Sequence, residues 1–359
     1  MSVSVFEHPL LSGLLGDDAI RSTFSFASEI EAMLRFEAAL AVAEEAAGVI
    51  ADGAAKAIQT SCKNFQPDIA ALQAATARDG VMVPELVRQL REAIDPEFRT
   101  HLHFGATSQD VVDTALVLRL RPALQTIADR LAALCGQLDL LETTYGQNDL
   151  VGRTRMQAAR PLRVADRIAA WRRPLAGLLS DFPTVEQKVA CLQFAGATGT
   201  LDDLGAQGRA VAERLAQELE LSYAGCWHTD RQSFAELAGF LSRLTGALGK
   251  TGLDVTLMAQ NEVGEIELSG GGGSSAMAHK KNPVKAEILV ALASFNATLL
   301  PGMHTALVHE NERSGAAWTL EWMVLPQMVL ATGAALRVAG DLLGDIVAMG
   351  TGSMQDNRS

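Results

Sequence analysis

The sequence is poor in several residue types, and each shortage argues against a class of protein. Only four cysteines occur among 359 residues, with no Cys-x-x-Cys pair, so reduced cysteines in a cytoplasmic protein are expected. The seven histidines form no metal-ligand spacing, so neither a metal nor another cofactor is expected. Lysine and arginine number 30 against 42 acidic residues, a net charge of −12, which argues against a nucleic-acid partner.

Signals for secretion or membrane insertion are also missing. The N-terminus lacks a basic stretch followed by an apolar one, so no signal peptide is expected. No apolar run is expected to be long enough to span a bilayer. Because 48% of the residues are hydrophobic and 20% charged, the chain is expected to be globular, with a large core.

Apolar residues at helical spacing are what the sequence has in abundance. Leucines recur every three or four positions from Asp110 to Tyr145, which predicts a helix of about ten turns. Three more long helices are predicted, from Phe234 to Met258, from Val284 to Leu300 and from Trp318 to about Ile346. Alternating segments typical of strands are scarce, so we predict an all-α fold built as a bundle of long helices.

The first hundred residues have a different pattern, since glycine and proline interrupt shorter helical stretches such as Glu29 to Ala47. We predict an N-terminal helical domain of residues 1–104, a central long-helix domain of residues 105–350 and a polar tail of residues 351–359. Helices this long and apolar usually bury more than one face. An oligomer whose subunits share the bundle is therefore favoured over a single-chain core.

One segment combines a glycine-rich loop with the start of a predicted helix. Residues 269–283 read SGGGGSSAMAHKKNP, and four consecutive glycines build no core. A linker is the alternative interpretation, but Asn282 suits an N-cap and Pro283 the first helical position. A helix N-terminus attracts anions, and Lys280 and Lys281 add positive charge.

Two other segments also precede predicted helices. In residues 103–110, HFGATSQD, Thr107 and Asp110 have capping-box spacing, for which a simple helix cap is the alternative interpretation. Residues 152–157, GRTRMQ, lie before a helix expected to start near Pro161, and solvated arginines would explain them equally well. If the three segments converged, they would form a site for a ligand with several carboxylates.

These segments resemble the conserved regions of the fumarase/aspartase superfamily. The superfamily loop GSSxMPxKxNP is matched by GSSAMAHKKNP at residues 273–283, with Ala278 in place of proline. Residues 107–110 are similar to its first conserved region and residues 152–157 to its second. The likeness extends over most of the chain, including FAGATG at residues 194–199 and WHT at residues 227–229.

Within the superfamily, the chain resembles the bacterial cycloisomerase branch, which forms a lactone from 3-carboxy-cis,cis-muconate. Residues 103–110 and 309–322, the latter reading HENERSGAAWTLEW, are similar to that branch. Arg155 stands where the lyases carry a histidine that protonates the leaving group, and a cycloisomerase has no leaving group to release. The third, C-terminal helical domain usual in the superfamily is expected to be absent or shortened.

The resemblance implies an intramolecular addition in aromatic degradation, in which an enediolate must be stabilised. It implies a homotetramer whose active sites are shared between subunits, working on a small tricarboxylate without metal or cofactor. The catalytic residues it implies are Ser274, Lys280 and Asn282. The substrate-binding residues it implies are His103, Thr107, Ser108, Arg155, Gln157, Ser275, Met277 and Arg313.

Two alternatives stay open at this point. An amine-releasing enzyme such as adenylosuccinate lyase shares the superfamily, although Arg155 argues against it. A catalytically inactive structural oligomer could keep the same fold, although the intact Ser274, Lys280 and Asn282 argue against that.

Overall fold

The structure is a computed structural model that describes residues 4–273, 277 and 281–351. Ser274, Ser275 and Lys280, three of the residues implied to form the site, lie outside the described residues. The described residues form long α-helices with a few short strands, so the predicted all-α fold class is confirmed.

Six shorter helices make up the N-terminal part. Their bounds are α1 Ser12–Leu15, α2 Asp18–Thr23, α3 Phe26–Ala46, α4 Ala54–Asn64, α5 Ile69–Asp79 and α6 Val83–Glu92. Helix α3 buries apolar residues at helical spacing, among them Met33, Phe36 and Leu40. These residues belong to the same continuous core as the long helices, and the division at residues 104 and 105 stays a prediction.

The central part contains the long helices and two small antiparallel sheets. The helices are α7 Ser108–Tyr145, α8 Val164–Val189, α9 Gly208–Leu219, α10 Gln232–Met258, α11 Val284–Thr305 and α12 Gly315–Gly344. The strands are β1 Asp149–Thr154, β2 Gln157–Arg163, β3 Ile266–Leu268 and β4 Ile346–Met349. Strand β1 pairs with β2, and β3 pairs with β4.

Helix α7 forms because its apolar residues and its start signal agree. Thr107 is the N-cap, and a capping box joins it to Asp110 as predicted. Leucines at helical spacing, including Leu120, Leu131 and Leu138, are buried. Burial of each such side chain contributes roughly 1.5–3 kcal/mol, which makes α7 the central support of the fold.

Helices α10 and α11 approach each other closely because glycine replaces larger residues at their contact. A Cβ atom at Gly252 would lie 2.5 Å from the carbonyl oxygen of Ala286, and one at Gly249 would lie 2.5 Å from the Cβ of Ala293. Neither distance is sterically possible, so any larger residue would push the helices apart. This contact fixes the start of α11, where the glycine-rich loop ends.

The segment of residues 152–163 is a correction to the sequence analysis. A helix was expected to start near Pro161, but β1 and β2 form a hairpin with Arg155 and Met156 at its turn, and α8 starts at Val164. Both turn residues have positive φ, 49° and 67°. A two-residue turn of this type matches strand twist but usually contains glycine or asparagine, which explains why the sequence did not reveal it.

Two helices also correct the expectation that no apolar run could span a bilayer. By length and composition alone, α11 and α12 could do so, with mean hydropathies of 1.4 and 1.3. In α12, 67% of the most apolar 18-residue stretch (its apolar window) is buried inside the chain, as in a core helix of a globular protein. The window of α11 is only 28% buried, so much apolar surface of α11 faces outward.

Candidate active site

The carboxylate of Asp110 organises the N-terminal end of α7. Asp110 is fully buried, and donors from three separate parts of the chain surround it. Oδ1 lies 2.9 Å from Nε2 of His228 and accepts hydrogen bonds from Nε2 of Gln193 and the amide of Ala195, while Oδ2 accepts from the amides of Thr107 and Gly196. These contacts tie the start of α7 to residues 193–196 and to His228.

These bonds hold the loop of residues 194–199 against the start of α7. The tight approach depends on Gly196, whose φ of 74° favours glycine and whose added Cβ would lie 3.1 Å from the carbonyl oxygen of Gly105. The loop in turn binds Arg313, which donates from Nη2 to the carbonyl of Ala197 and from Nε to the side chain of Gln109. Arg313, a candidate site residue, is thereby brought to Thr107 and Ser108.

A buried ionic network supports the start of α7. Arg231 is 2% exposed and lies between the carboxylates of Asp113 and Glu321, with Nη1 2.6 Å from Asp113 Oδ2 and Nε 2.9 Å from Glu321 Oε1. The indole of Trp318 donates to Asp113 Oδ1 at 2.9 Å. Since Asp113 follows Asp110 by three residues, the network fixes the face of α7 that carries Asp110.

His103 adds a titratable group to the same end. Its Nδ1 lies 2.6 Å from Oε1 of the buried Glu37. Burial opposes charge on the ring, but Glu37 raises the pKa of His103 above its ordinary value. Because Glu37 occupies Nδ1, Nε2 is left for a ligand, and the side chain keeps 15% exposure.

The hairpin carries the second group of candidate residues. Arg155 at its turn and Gln157 at the start of β2 are both exposed. The neighbouring Arg153 is held by Glu265, 1% exposed, at 2.6 Å. Arg155 borders a cleft of about 490 Å³ that Arg167, Lys250 and Asp254 also line, so its guanidinium, which has no ion-pair partner among the described residues, lies beside a charged cleft.

The described residues of the glycine-rich loop show how its base is fixed. Ser269 donates its amide to the carbonyl of Asp345, and Lys285 lies 2.7 Å from the Asp345 carboxylate. Gly272 and Asn282 exchange two backbone hydrogen bonds, of 2.9 and 3.0 Å. Asn282 was expected as the N-cap of α11, but Pro283 holds that position. Met277 is 44% exposed.

The candidate residues therefore form two groups at opposite ends of helix α7. His103, Thr107, Ser108 and Arg313 lie at the start of α7. Arg155 and Gln157 lie in the hairpin that follows its end, and 38 helical residues separate the two, a span of about 57 Å. The base of the glycine-rich loop lies at the hairpin end, because β3 pairs with β4, and Gly350 and Thr351 just beyond it bond to Glu265 and Asp149.

Sequence reasoning missed several residues that build the first group. Glu37, Asp113, Arg231 and Glu321 are all buried charged residues, and lone charges in apolar helical stretches were the signal available. Among the described residues, no group of three or more His, Cys, Asp or Glu side chains could hold a metal ion.

Comparison with known proteins identifies relatives along almost the whole chain. The model of a family described as Lyase matches residues 16–297. A 3-carboxy-cis,cis-muconate cycloisomerase from Bradyrhizobium diazoefficiens is 40% identical over 341 residues, covering 93% of this chain and 76% of the relative.

Two solved structures have the same fold. The 3-carboxy-cis,cis-muconate lactonizing enzyme from Pseudomonas putida superimposes with a TM-score of 0.88 and 36% identity, over 94% of this chain and 77% of that one. The β-carboxy-cis,cis-muconate cycloisomerase from Acinetobacter calcoaceticus gives a TM-score of 0.89 and 31% identity, over 97% and 80%.

Proposed function

Since the chain belongs to the lyase family, within the fumarase/aspartase superfamily, we propose that it is a cycloisomerase that converts 3-carboxy-cis,cis-muconate to 4-carboxymuconolactone in the breakdown of aromatic compounds. The observation that carries the proposal is the 40% identity along 93% of the chain to a relative of that name. Arg155, in place of the histidine that protonates a leaving group in the lyases, supports the same reaction, because a lactonisation releases nothing.

The proposed reaction forms one C–O bond and one C–H bond at the same alkene. A carboxylate oxygen adds to the carbon that bears the 3-carboxylate, and the electron pair of the alkene moves toward the carboxylate on the other side. The resulting enediolate carries extra negative charge, and its stabilisation should lower the barrier most. Protonation of the neighbouring carbon then completes the lactone.

We assign the proton transfer to Ser274 and the binding of the enediolate to Lys280 and Asn282. The described base of the loop supports this assignment, since the Gly272–Asn282 pairing holds Asn282 at the mouth of the loop, next to the start of α11. A helix start adds partial positive charge there. Ser275 and Met277, in the same loop, are assigned to substrate contact.

The remaining carboxylates of the trianion need cations and amide donors. The α7 start offers the Thr107 and Ser108 hydroxyls, with Arg313 beside them. His103 can donate from Nε2, because Glu37 favours its protonated form. Arg155 and Gln157 are assigned to the carboxylate at the hairpin side, where the exposed turn leaves the guanidinium free to bind.

A homotetramer would assemble these groups. Residues of one chain cannot converge across about 57 Å, so a complete site needs segments from several subunits. Only 28% of the apolar window of α11 is buried within the single chain, and its outward apolar surface suits burial against a second copy. The relatives include a bacterial metabolic enzyme, and we place this protein in the cytoplasm.

An absorbance assay tests the proposed reaction directly. Purified protein is mixed with 3-carboxy-cis,cis-muconate, and loss of the conjugated diene is followed while the lactone is identified by mass and NMR. Catalysed loss of the diene with formation of 4-carboxymuconolactone is expected. An unchanged diene, together with turnover of adenylosuccinate, would replace the proposal with an amine-releasing lyase.

A further inference from the structure

The side chains of Cys226, His228 and Asp110 are neighbours, in that order, beside the start of α7. Nε2 of His228 is 2.9 Å from the Asp110 carboxylate. The other ring nitrogen, Nδ1, is buried and has no hydrogen-bond acceptor in standard geometry among the described residues. The group next to Nδ1 is the thiol of Cys226. His228 is 2% exposed, whereas Cys226 is exposed, so the line runs from solvent into the core.

The charges along this line favour a thiolate at Cys226. Burial opposes a charged imidazole, but Asp110 and Cys226 raise the pKa of His228 to about 9. Burial would also raise the pKa of the Cys226 thiol, but the His228 side chain and amide lower it below its ordinary value. At neutral pH the imidazolium therefore presents one N–H to Asp110 and the other to the sulfur. The thiolate is the nucleophilic form of cysteine.

The other cysteines provide a comparison within the same chain. Cys62 and Cys135 are buried, and burial raises the pKa of each thiol, that of Cys62 to about 12. Cys191 is partly exposed and has no histidine bonded to it among the described residues. Accessibility and a neighbouring imidazolium coincide at Cys226 alone among these four.

We propose that Cys226 is a site of covalent modification by soft electrophiles, activated by the buried His228–Asp110 pair behind it. With iodoacetamide as the probe, the sulfur forms a bond to the methylene carbon, the carbon–iodine bond breaks and iodide leaves. The proton of the original thiol stays on Nδ1 of His228. The site takes small, uncharged electrophiles, since the neighbouring loop leaves little room.

Modification of Cys226 would also affect the start of α7, where we place substrate carboxylates. A Cβ atom at Gly199 would lie 3.2 Å from the Cys226 sulfur, so the sulfur lies against the loop of residues 194–199. The amides of Ala195 and Gly196 in that loop bind Asp110. A carboxamidomethyl group on the sulfur should displace the loop, and with it Arg313. This consequence for turnover rests on the proposed function, whereas the reactivity of the thiol does not.

Mass spectrometry of the full-length native protein tests the reactivity. After timed exposure to iodoacetamide at pH 7, Cys226 should be labelled at least about tenfold faster than Cys191. The rate at Cys226 should rise with pH around a midpoint below that of an ordinary thiol. Equal rates at the two cysteines, or an ordinary thiol midpoint at Cys226, would overturn the proposal.

Two variants separate activation from accessibility. His228→Gln, checked by circular dichroism, should bring labelling of Cys226 down to the rate of Cys191, and unchanged fast labelling would show that His228 does not activate it. Cys226→Ser should keep its turnover and resist inactivation by iodoacetamide. Should the protein lack cycloisomerase activity altogether, the labelling rates would still decide the proposal about the thiol.

Discussion

At the scale of single residues, Ser274 carries the proton transfer in the proposed reaction. It follows four glycines and lies in a segment that builds no core. Ser274→Ala should lower kcat by about 10²–10⁴, the share of a positioned acid or base, while the melting temperature stays nearly unchanged. Steady-state kinetics and calorimetry would measure the two quantities.

Ser269→Ala is a matched control in the same loop. The Ser269 hydroxyl donates to the carbonyl of Asp345, at the base of the loop, so this variant should keep its kcat. Near-normal turnover in Ser274→Ala would remove that serine from the mechanism. Equal loss in both variants would mean that the loop responds to any serine deletion.

Glu37 is predicted to act through His103 rather than on the substrate. The carboxylate raises the pKa of His103, so the protonated ring, able to donate from Nε2, persists to higher pH. Glu37→Gln should lower the pKa of His103. As the pH rises, the variant should therefore lose substrate binding at a lower pH than the wild type does. A charge-assisted hydrogen bond contributes about 1.5–3 kcal/mol, so kcat/KM on the alkaline limb of the wild-type profile should fall by about tenfold or more.

The control for this prediction lies two turns further along α3. Burial, then Glu37, raises the pKa of Glu44 to about 9, so Glu44 is neutral at pH 7 and Glu44→Gln removes no charge. Asp110 and Arg91 also face His103 and are unchanged in both variants. The alkaline limb of the kcat/KM profile should move in Glu37→Gln and stay in place in Glu44→Gln. An unmoved limb in Glu37→Gln would give the Glu37–His103 contact a purely structural role.

At the scale of secondary-structure elements, the hairpin turn is predicted to serve binding. Arg155 is held at positive φ, a conformation that non-glycine residues adopt at a cost and that often marks a functional position. Arg155→Ala should raise KM by roughly 10–100-fold, the value of one charge-assisted contact, with a smaller effect on kcat. A large loss of kcat with an unchanged KM would instead make Arg155 part of transition-state stabilisation.

Arg160→Ala offers the matched comparison for Arg155. Arg160 is exposed on β2 of the same hairpin, so its removal subtracts the same charge away from the turn. Its KM should stay within about twofold of the wild type, because screened surface charges act weakly on a distant ligand. Parallel changes in both variants would indicate a general electrostatic effect.

Helices could be predicted from the sequence because their signals are local. The leucine spacing and the Thr107–Asp110 capping box located α7 to within two residues of its observed start at Ser108. The hairpin could not be predicted from the sequence, because its turn uses Arg155 and Met156 where glycine or asparagine is usual. Helix α8 was expected to start near Pro161 and starts instead at Val164, because residues 157–163 form strand β2.

The candidate site was predictable in its motifs but not in its supports. Thr107, Arg313 and the glycine-rich loop were found by their sequence patterns. The hydrogen-bond partners of Asp110 could not be found from the sequence, because Gln193 and His228 are 83 and 118 residues away along the chain. Such long-range contacts depend on tertiary packing, which periodicity and capping signals do not report.

At the scale of the whole molecule, the proposed homotetramer would bring the two residue groups together. A site with Ser274 and Arg313 from different chains can be restored by mixing, because an intact copy of each residue then comes from a different variant. Random tetramers of Ser274→Ala and Arg313→Ala chains should contain about one quarter intact sites, given one contributor of each segment per site. Activity at substrate concentrations below KM should return to about that level after subunit exchange.

A second mixture sets the background for this experiment. Ser274 and Lys280 lie in the same loop, so one chain supplies both to any site, and Ser274→Ala mixed with Lys280→Ala should stay inactive. Native mass spectrometry would confirm that hybrids have formed in both mixtures. Recovery in the first mixture and none in the second is the pattern that only shared sites produce. Hybrids that stay inactive in both, or a protein that is monomeric in solution, would require one chain to bring its own segments together across the length of α7.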